Sequence, residues 1–235
     1  MKTFAYCSAS FRRFVRRAAG TSPILCPPTT MATFDPRLPA GSDFVWFKLH
    51  GLEGQPYWYG DNYTTALSAR QLAQADLEGA VVFVSNCYLA NDDGSPGPML
   101  QALAHARPKA IIGGPGTNYA LPDRLGATDL LALYVRWFLQ VGFATYNALR
   151  MAKLRLQLRR LRQPRWADRT TEDTLAFRIW QPAEIPGISG ERQISGRIES
   201  DATPGGPAPA CTGPSGPRKL TSAPGAPGGK GGHAP

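Results

Sequence analysis

The sequence predicts an α/β sandwich with a mostly parallel central sheet flanked by helices. Three observations lead there. AVVFVS (80–85) and AIIGG (110–114) are short, unbroken apolar runs, the pattern of strands covered on both faces. Segments of helical period lie between and after these runs, as parallel crossovers require. The chain has 235 residues, 43% of them hydrophobic, which is enough for one domain with a sizeable core.

The elements follow in order. FVWFKLH (44–50) is rich in aromatic and branched residues, predicts a strand, and ends at His50-Gly51. After the loop GLEGQP, YWY (57–59) reads as a short strand or hairpin arm, and Gly60-Asp61-Asn62 supplies turn chemistry. Ser68 and Gln71 fit a capping box, so a short helix starts at Ser68. The strand 80–85 then delivers Cys87. PMLQALAHA (98–106) is a helix with Pro98 in its first turn, and it leads to the strand AIIGG. From Asp129, Leu130, Leu133, Tyr134, Trp137, Phe138 and Val141 share one helical face, with a break at Gly142. A second helix carries Ala148, Met151, Leu154, Leu158 and Leu161 inward and its arginines outward, and Pro164 ends it. TLAFRIW (174–180) reads as a last strand.

Composition sets the boundaries. Residues 1–40, with Pro27, Pro28, Pro36 and Pro39, read as a poorly ordered leader and linker, and Met31 offers an alternative start. The basic, acid-free N-terminus lacks the apolar core of a secretory signal. Residues 41–185 form the globular domain. From Asp201 onward 17 of 35 residues are Gly or Pro, so 186–235 reads as a disordered tail. The run Leu130 to Ala144 is interrupted by Arg136 and Gln140, so no membrane span is expected.

The formal net charge of +9 is concentrated locally. Arg150 to Arg169 holds eight Lys or Arg against one acid, Asp168. Such a stripe suits nucleic acid or acidic lipid; the simpler reading is the solvated face of an amphipathic helix. No zinc finger, RRM signature or basic-zipper pattern occurs, so nucleic acid is not an expected partner. Of the four cysteines, Cys7 and Cys26 precede the domain, Cys211 lies in the tail, and only Cys87 falls in the globular part. There is no C-x-x-C and no Cys/His cluster, so neither a disulfide framework nor a metal site is indicated.

In open α/β sheets ligands bind beyond the carboxyl ends of the strands. His50 and Cys87 both sit at such ends, on strands joined by a helix-containing connection. That is the placement a nucleophile and its base need. Gly51 lets backbone approach closely, and its amide, with that of Cys87, is a candidate oxyanion donor. Tyr59, Asp61, Ser85, Asn86 and Asn118 lie on the same loops and strand ends and are candidate substrate-binding residues.

FKLHG, a gap, then VVFVSNCYL resembles the caspase-like cysteine peptidase fold, in particular its CHAT (caspase and separase related) branch, in which one strand ends in His-Gly and a later one reads apolar-apolar-Ser-x-Cys. KAIIGG is similar to the next sheet strand, and LLALYVRWFLQVGFATYNALRMAKLRLQ to the paired helices that follow. TLAFRIWQP is similar to a closing segment. The resemblance covers roughly 42–183. It implies a caspase-like three-layer sandwich, His50 as base, Cys87 as nucleophile, the amides of Gly51 and Cys87 as oxyanion donors, a peptide or protein substrate and no cofactor. A reducing, cytoplasmic compartment suits a free catalytic thiol.

The sequence departs from that pattern in two ways. Only about forty Pro-interrupted residues precede the histidine strand, where the family has a further strand and helix, so a trimmed domain or a protein partner covering the sheet edge is expected. Ser85-Asn86 stand where related peptidases carry an acid for a basic substrate side chain; Asp61, Asp92 and Asp93 are the nearby acids. Read singly, Trp46, Trp58 and Trp137 are core or pocket wall, His105 is a surface histidine, and a lone cysteine is a small buried hydrophobe. The competing function is a catalytically degenerate domain that acts as an interaction or regulatory module.

Overall fold

The computed structural model describes residues 1–91, 93–118, 125–162 and 169–186. Asp92, Tyr119, Pro122, Pro164 and the tail from residue 187, with Cys211 and His233, lie outside them. In chain order the elements are β1 (Thr3–Ser8), α1 (Arg12–Ala19), β2 (Ile24–Cys26), β3 (Phe44–Lys48), β4 (His50–Gly51), β5 (Tyr57–Tyr59), β6 (Thr65–Ser68), α2 (Ala69–Ala73), β7 (Val81–Val84), α3 (Pro98–His105), β8 (Ala110–Gly113), α4 (Ala127–Gln140), α5 (Thr145–Arg162), α6 (Arg169–Leu175) and β9 (Arg178–Trp180).

Six strands form one sheet in the order β2-β1-β3-β7-β8-β9. All neighbours are parallel except β8 and β9. The strands alternate between two apolar layers. Val45, Phe47, Val82, Val84 and Ile111 face a core shared with Leu72, Leu100 and Leu103 from α2 and α3. Phe44, Trp46, Val81, Phe83 and Ile112 face a second core with Val15, Leu131, Val135 and Leu156 from α1, α4 and α5. Helices therefore cover both faces, and the α/β sandwich with a mostly parallel sheet is the observed architecture.

Local expectations hold at several elements. Ser68 caps α2 with a full capping box, its hydroxyl accepting from the Gln71 amide and the Gln71 side chain accepting from the Ser68 amide. Pro98 opens α3, and His105 is exposed.

The N-terminal forty residues are a correction. In place of a loose leader they supply β1, α1 and β2. β1 pairs with β3 from Thr3↔Phe44 to Cys7↔Lys48, so it lies inside the sheet, and β2 occupies the edge. The strand and helix expected to be missing are present, and the β3 flank that a partner was to cover is already paired. Phe11, Phe14, Val15 and Ala18 share one helical face and are buried, while Arg12, Arg13, Arg16 and Arg17 are exposed. The arginine density that reads as a leader is the wet side of a packed helix.

A second correction concerns the paired helices. α5 buries Ala148, Leu149, Ala152 and Leu156, not Leu154, Leu158 and Leu161, which are exposed. Two apolar stripes compete on this helix. The alanine-containing stripe wins because small residues let α5 approach α4 closely, and Arg155 then lies over the Tyr134 and Trp137 rings. Trp137 on α4 and Val141 just beyond its end are likewise exposed rather than core. The last segment, expected as a single strand from 174, is the end of α6 followed by β9.

Candidate active site

β3 and β7 are parallel neighbours, with Phe47 opposite Val84. Their carboxyl ends therefore release His50 and Cys87 at one rim of the sheet. After Lys48 the chain leaves the main sheet, and His50-Gly51 becomes β4 in a small antiparallel sheet of β4, β5 and β6. Leu49 makes this corner. Its side chain is buried, and its amide donates to Asn86 Oδ1 at 2.7 Å, which ties the corner to the segment carrying Cys87.

Gly51 and Cys87 are in direct apposition. A Cβ built on Gly51 would sit far below 3.0 Å from the Cys87 carbonyl oxygen and 3.1 Å from its carbonyl carbon. No larger residue fits there without backbone movement. Cys87 itself is 4% exposed. Its sulfur receives the Asn118 amide at 3.2 Å and can donate to the Asn118 carbonyl at 3.4 Å. The next residue, Tyr88, has φ of 53°. A bulky side chain in the left-handed region costs about 1–3 kcal/mol and clusters at functional sites. Tyr88 is held there by its amide N–H donating to the Gly116 carbonyl at 2.6 Å and by Thr117 donating to its hydroxyl at 3.0 Å.

His50 is half-buried between two rings, Phe11 at 5.5 Å and Tyr63 at 6.3 Å between centroids. It pairs with Tyr59 across β4 and β5, so both side chains share one face. Tyr59 is buried and meets Tyr63 edge-on at 6.2 Å. Burial pushes the His50 pKa below its ordinary value, against the opposing charge of Asp61. The imidazole is thereby biased toward its neutral, proton-accepting form.

This bias has a sign that can be checked. The unfolded chain holds the His50 proton more tightly than the folded one. The stabilisation is fully present above the unfolded value of about 6.5 and is lost as pH falls through the lower folded value. The urea midpoint is expected to fall between about pH 7 and pH 5 more steeply in the wild type than in His50→Gln, at unchanged m. Parallel curves for the two proteins would show that the ring is not desolvated.

The other candidates are heavily engaged. Asp61 accepts from the Ser8 hydroxyl, and from the Ser10 amide at 2.9 Å and hydroxyl at 2.8 Å. It stands as a fixed negative charge near His50, held by the turn between β1 and α1. Ser85 accepts from the Trp46 indole at 2.7 Å, and its carbonyl accepts from the Asn118 side chain at 2.6 Å. Thr128 donates to Asn118 Oδ1 at 2.7 Å. Asn86 Nδ2 is buried with no hydrogen-bond partner among the described residues. Ser85, Asn86 and Asn118 are thus buried braces of the Cys87 segment.

Sequence reasoning missed Ser8, Ser10 and Phe11, because they lie in the presumed leader. It also missed a buried ion pair between Lys48 and Asp129. The 11, 14, 15, 18 apolar spacing was the available signal for α1. An open depression at the other rim, lined by Met1, Asp43, Val81, Lys109 and Phe143, lies by the amino ends of the strands. In open parallel sheets ligands bind at the carboxyl ends, so the site is assigned to the Cys87 rim instead.

What the fold and rim define is an α/β protein with a thiol and an imidazole at neighbouring strand ends. No family model and no curated protein matches the chain. Among solved structures it is similar to the Arg-specific cysteine proteinase gingipain R, at 14% identity and a TM-score of 0.44, over 77% of this chain and 46% of that one. It is also similar to a complex of the pro- and mature domains of Porphyromonas gingivalis RgpB, at 12% identity and a TM-score of 0.42, over 75% of this chain and 46% of that one. The chain thus spans less than half the length of either. The functional reading rests on the residues rather than on these likenesses.

Proposed function

We propose that the chain is a caspase-like, CHAT-type cysteine peptidase in which His50 is the base and Cys87 the nucleophile. The observation that carries the reading is the apposition of Gly51, the residue after His50, and Cys87. Two segments 36 positions apart meet backbone to backbone at the rim where parallel sheets place their ligands. The desolvated imidazole and the strained residue after the thiol support it.

His50 takes the Cys87 proton, and the thiolate attacks the peptide carbonyl. The oxyanion that forms is stabilised by the amides of Gly51 and Cys87. His50 then protonates the departing amine, leaving a thioester. Water, deprotonated by His50, attacks the thioester, releasing the acid and restoring the thiol. Tyr59 and Tyr63 form an aromatic wall for the substrate, and Asp61 biases the ring electrostatically.

One observation favours a second reading, a non-catalytic interaction domain. Cys87 is nearly fully enclosed and both backbone groups of Asn118 address its sulfur, so a peptide must displace this cover.

Thiol labelling across pH with an electrophile, read by mass spectrometry on wild type and His50→Ala, separates the two. Cys7 is an internal reference, since burial pushes its thiol up to about 12. The peptidase reading expects Cys87 to label well below about pH 8 and to lose at least about tenfold in rate without His50. Cys87 labelling as slowly as Cys7 in both proteins would leave the interaction domain as the standing interpretation.

A further inference from the structure

The outer face of α5 carries a second apolar line that the described residues leave exposed. Leu154, Leu158 and Leu161, at steps of four and three, fall on one line along the helix. They are 45%, 47% and 78% exposed. The line is opposite the buried Ala148, Ala152 and Leu156 stripe, so it forms the crest of the helix, not the floor of a groove. Phe143 and Tyr146, near the amino end of the helix, are also exposed but lie off this line.

Charge frames the line. Arg150 lies on one flank and Arg162 on the other, both exposed, while the Arg155 guanidinium is turned onto the Tyr134 and Trp137 rings. α5 contains no Asp or Glu. Arg160 pairs with Glu172 at 2.9 Å nearer the core side. Three occupants can be weighed. A second copy would bring the same arginines against themselves with no acid on α5 to pair them, which disfavours self-association. Nucleic acid would use the arginines but leave the leucines in water. An anionic lipid surface uses both: leucines enter the acyl boundary while flanking arginines reach the headgroups. A crest suits a planar partner. No helix among the described residues is long and apolar enough to cross a membrane, so the contact is in-plane.

We propose that α5 docks the protein on anionic membrane surfaces through Leu154, Leu158 and Leu161, framed by Arg150 and Arg162. This is independent of the peptidase reading. The test is cosedimentation with vesicles of phosphatidylcholine alone and with phosphatidylserine added. The wild type is expected to bind the latter at least about tenfold more tightly, with the advantage shrinking as salt is raised. Leu154→Ser/Leu158→Ser/Leu161→Ser changes only exposed side chains, so its urea midpoint should stay near wild type. It is expected to lose at least about tenfold in partitioning. Arg150→Gln/Arg162→Gln should lose the preference for phosphatidylserine.

Several results would overturn the proposal. One is no binding to phosphatidylserine vesicles by the wild type. Another is a serine variant that binds as well as wild type while the arginine variant does not, which marks a purely electrostatic surface of the nucleic-acid kind. A third is a wild type that dimerises while the serine variant is monomeric and neither binds vesicles, which makes the line a self-association face.

Discussion

Replacing Asp129 by alanine is expected to cost about 3–5 kcal/mol, a large share of the roughly 5–15 kcal/mol that holds a domain together. The reason lies in three links. Lys48 and Asp129 are 4% and 0% exposed and form a buried ion pair. Asp129 also accepts the Gly126 amide at 2.9 Å, so it caps α4 and sits in the favourable field at the helix amino end. Lys48 is the last residue of β3, two positions before His50. Removing the carboxylate strands an ammonium in an apolar layer, frees a helix-end donor and loosens the strand that positions the imidazole. Urea unfolding at constant m measures the loss. Lys48→Met/Asp129→Leu should recover most of it, because two apolar side chains need no desolvated charge, less about 1 kcal/mol for the lost cap. A cost below about 1 kcal/mol for Asp129→Ala would mean that water reaches the pair and that the pair contributes as little as a surface one.

Gly51→Ala is the second large effect. The added methyl meets the Cys87 carbonyl, which is backbone and cannot rotate away. Overpacking of this kind costs about 1–3 kcal/mol, and here the rigid neighbour argues for the upper end or more. Gly54→Ala is the control. Gly54 has φ of 66° and open space around its Cβ position, so it carries only the left-handed penalty of about 1–2 kcal/mol. The two substitutions also differ in where they act. Gly51→Ala should change the rate and pH dependence of Cys87 labelling, and Gly54→Ala should change neither. Equal stability costs and unchanged labelling in both would mean that β4 does not abut the Cys87 segment.

The candidate site was half legible in the sequence. His50 and Cys87 could be found because a strand end is a local event: FVWFKLHG and VVFVSNC each show an apolar run stopping at a polar residue. Asp61, Ser85, Asn86 and Asn118 were legible as neighbours but not as braces. Whether a polar side chain faces substrate or a buried partner depends on what another part of the chain brings to it. Trp46 reaches Ser85 across 39 residues, and Ser8 reaches Asp61 across 53. Such pairings leave no periodic trace.

Where most elements lie, and of what kind they are, is written in the local pattern of the sequence. Period two or an unbroken apolar run marks strands, period 3.6 marks helices, and the Ser68 capping box marks a helix start, all within a few residues of chain. The sequence also makes α5 strongly basic. Long-range packing slots β1 beside β3 and turns a presumed leader into part of the sheet. It alone decided which of the two apolar stripes on α5 is buried, leaving Leu154, Leu158 and Leu161 outside. Local pattern records what a segment can bury; which surface it does bury is set by the long-range partner that fits closest, and that partner is chosen by the packing of the whole chain.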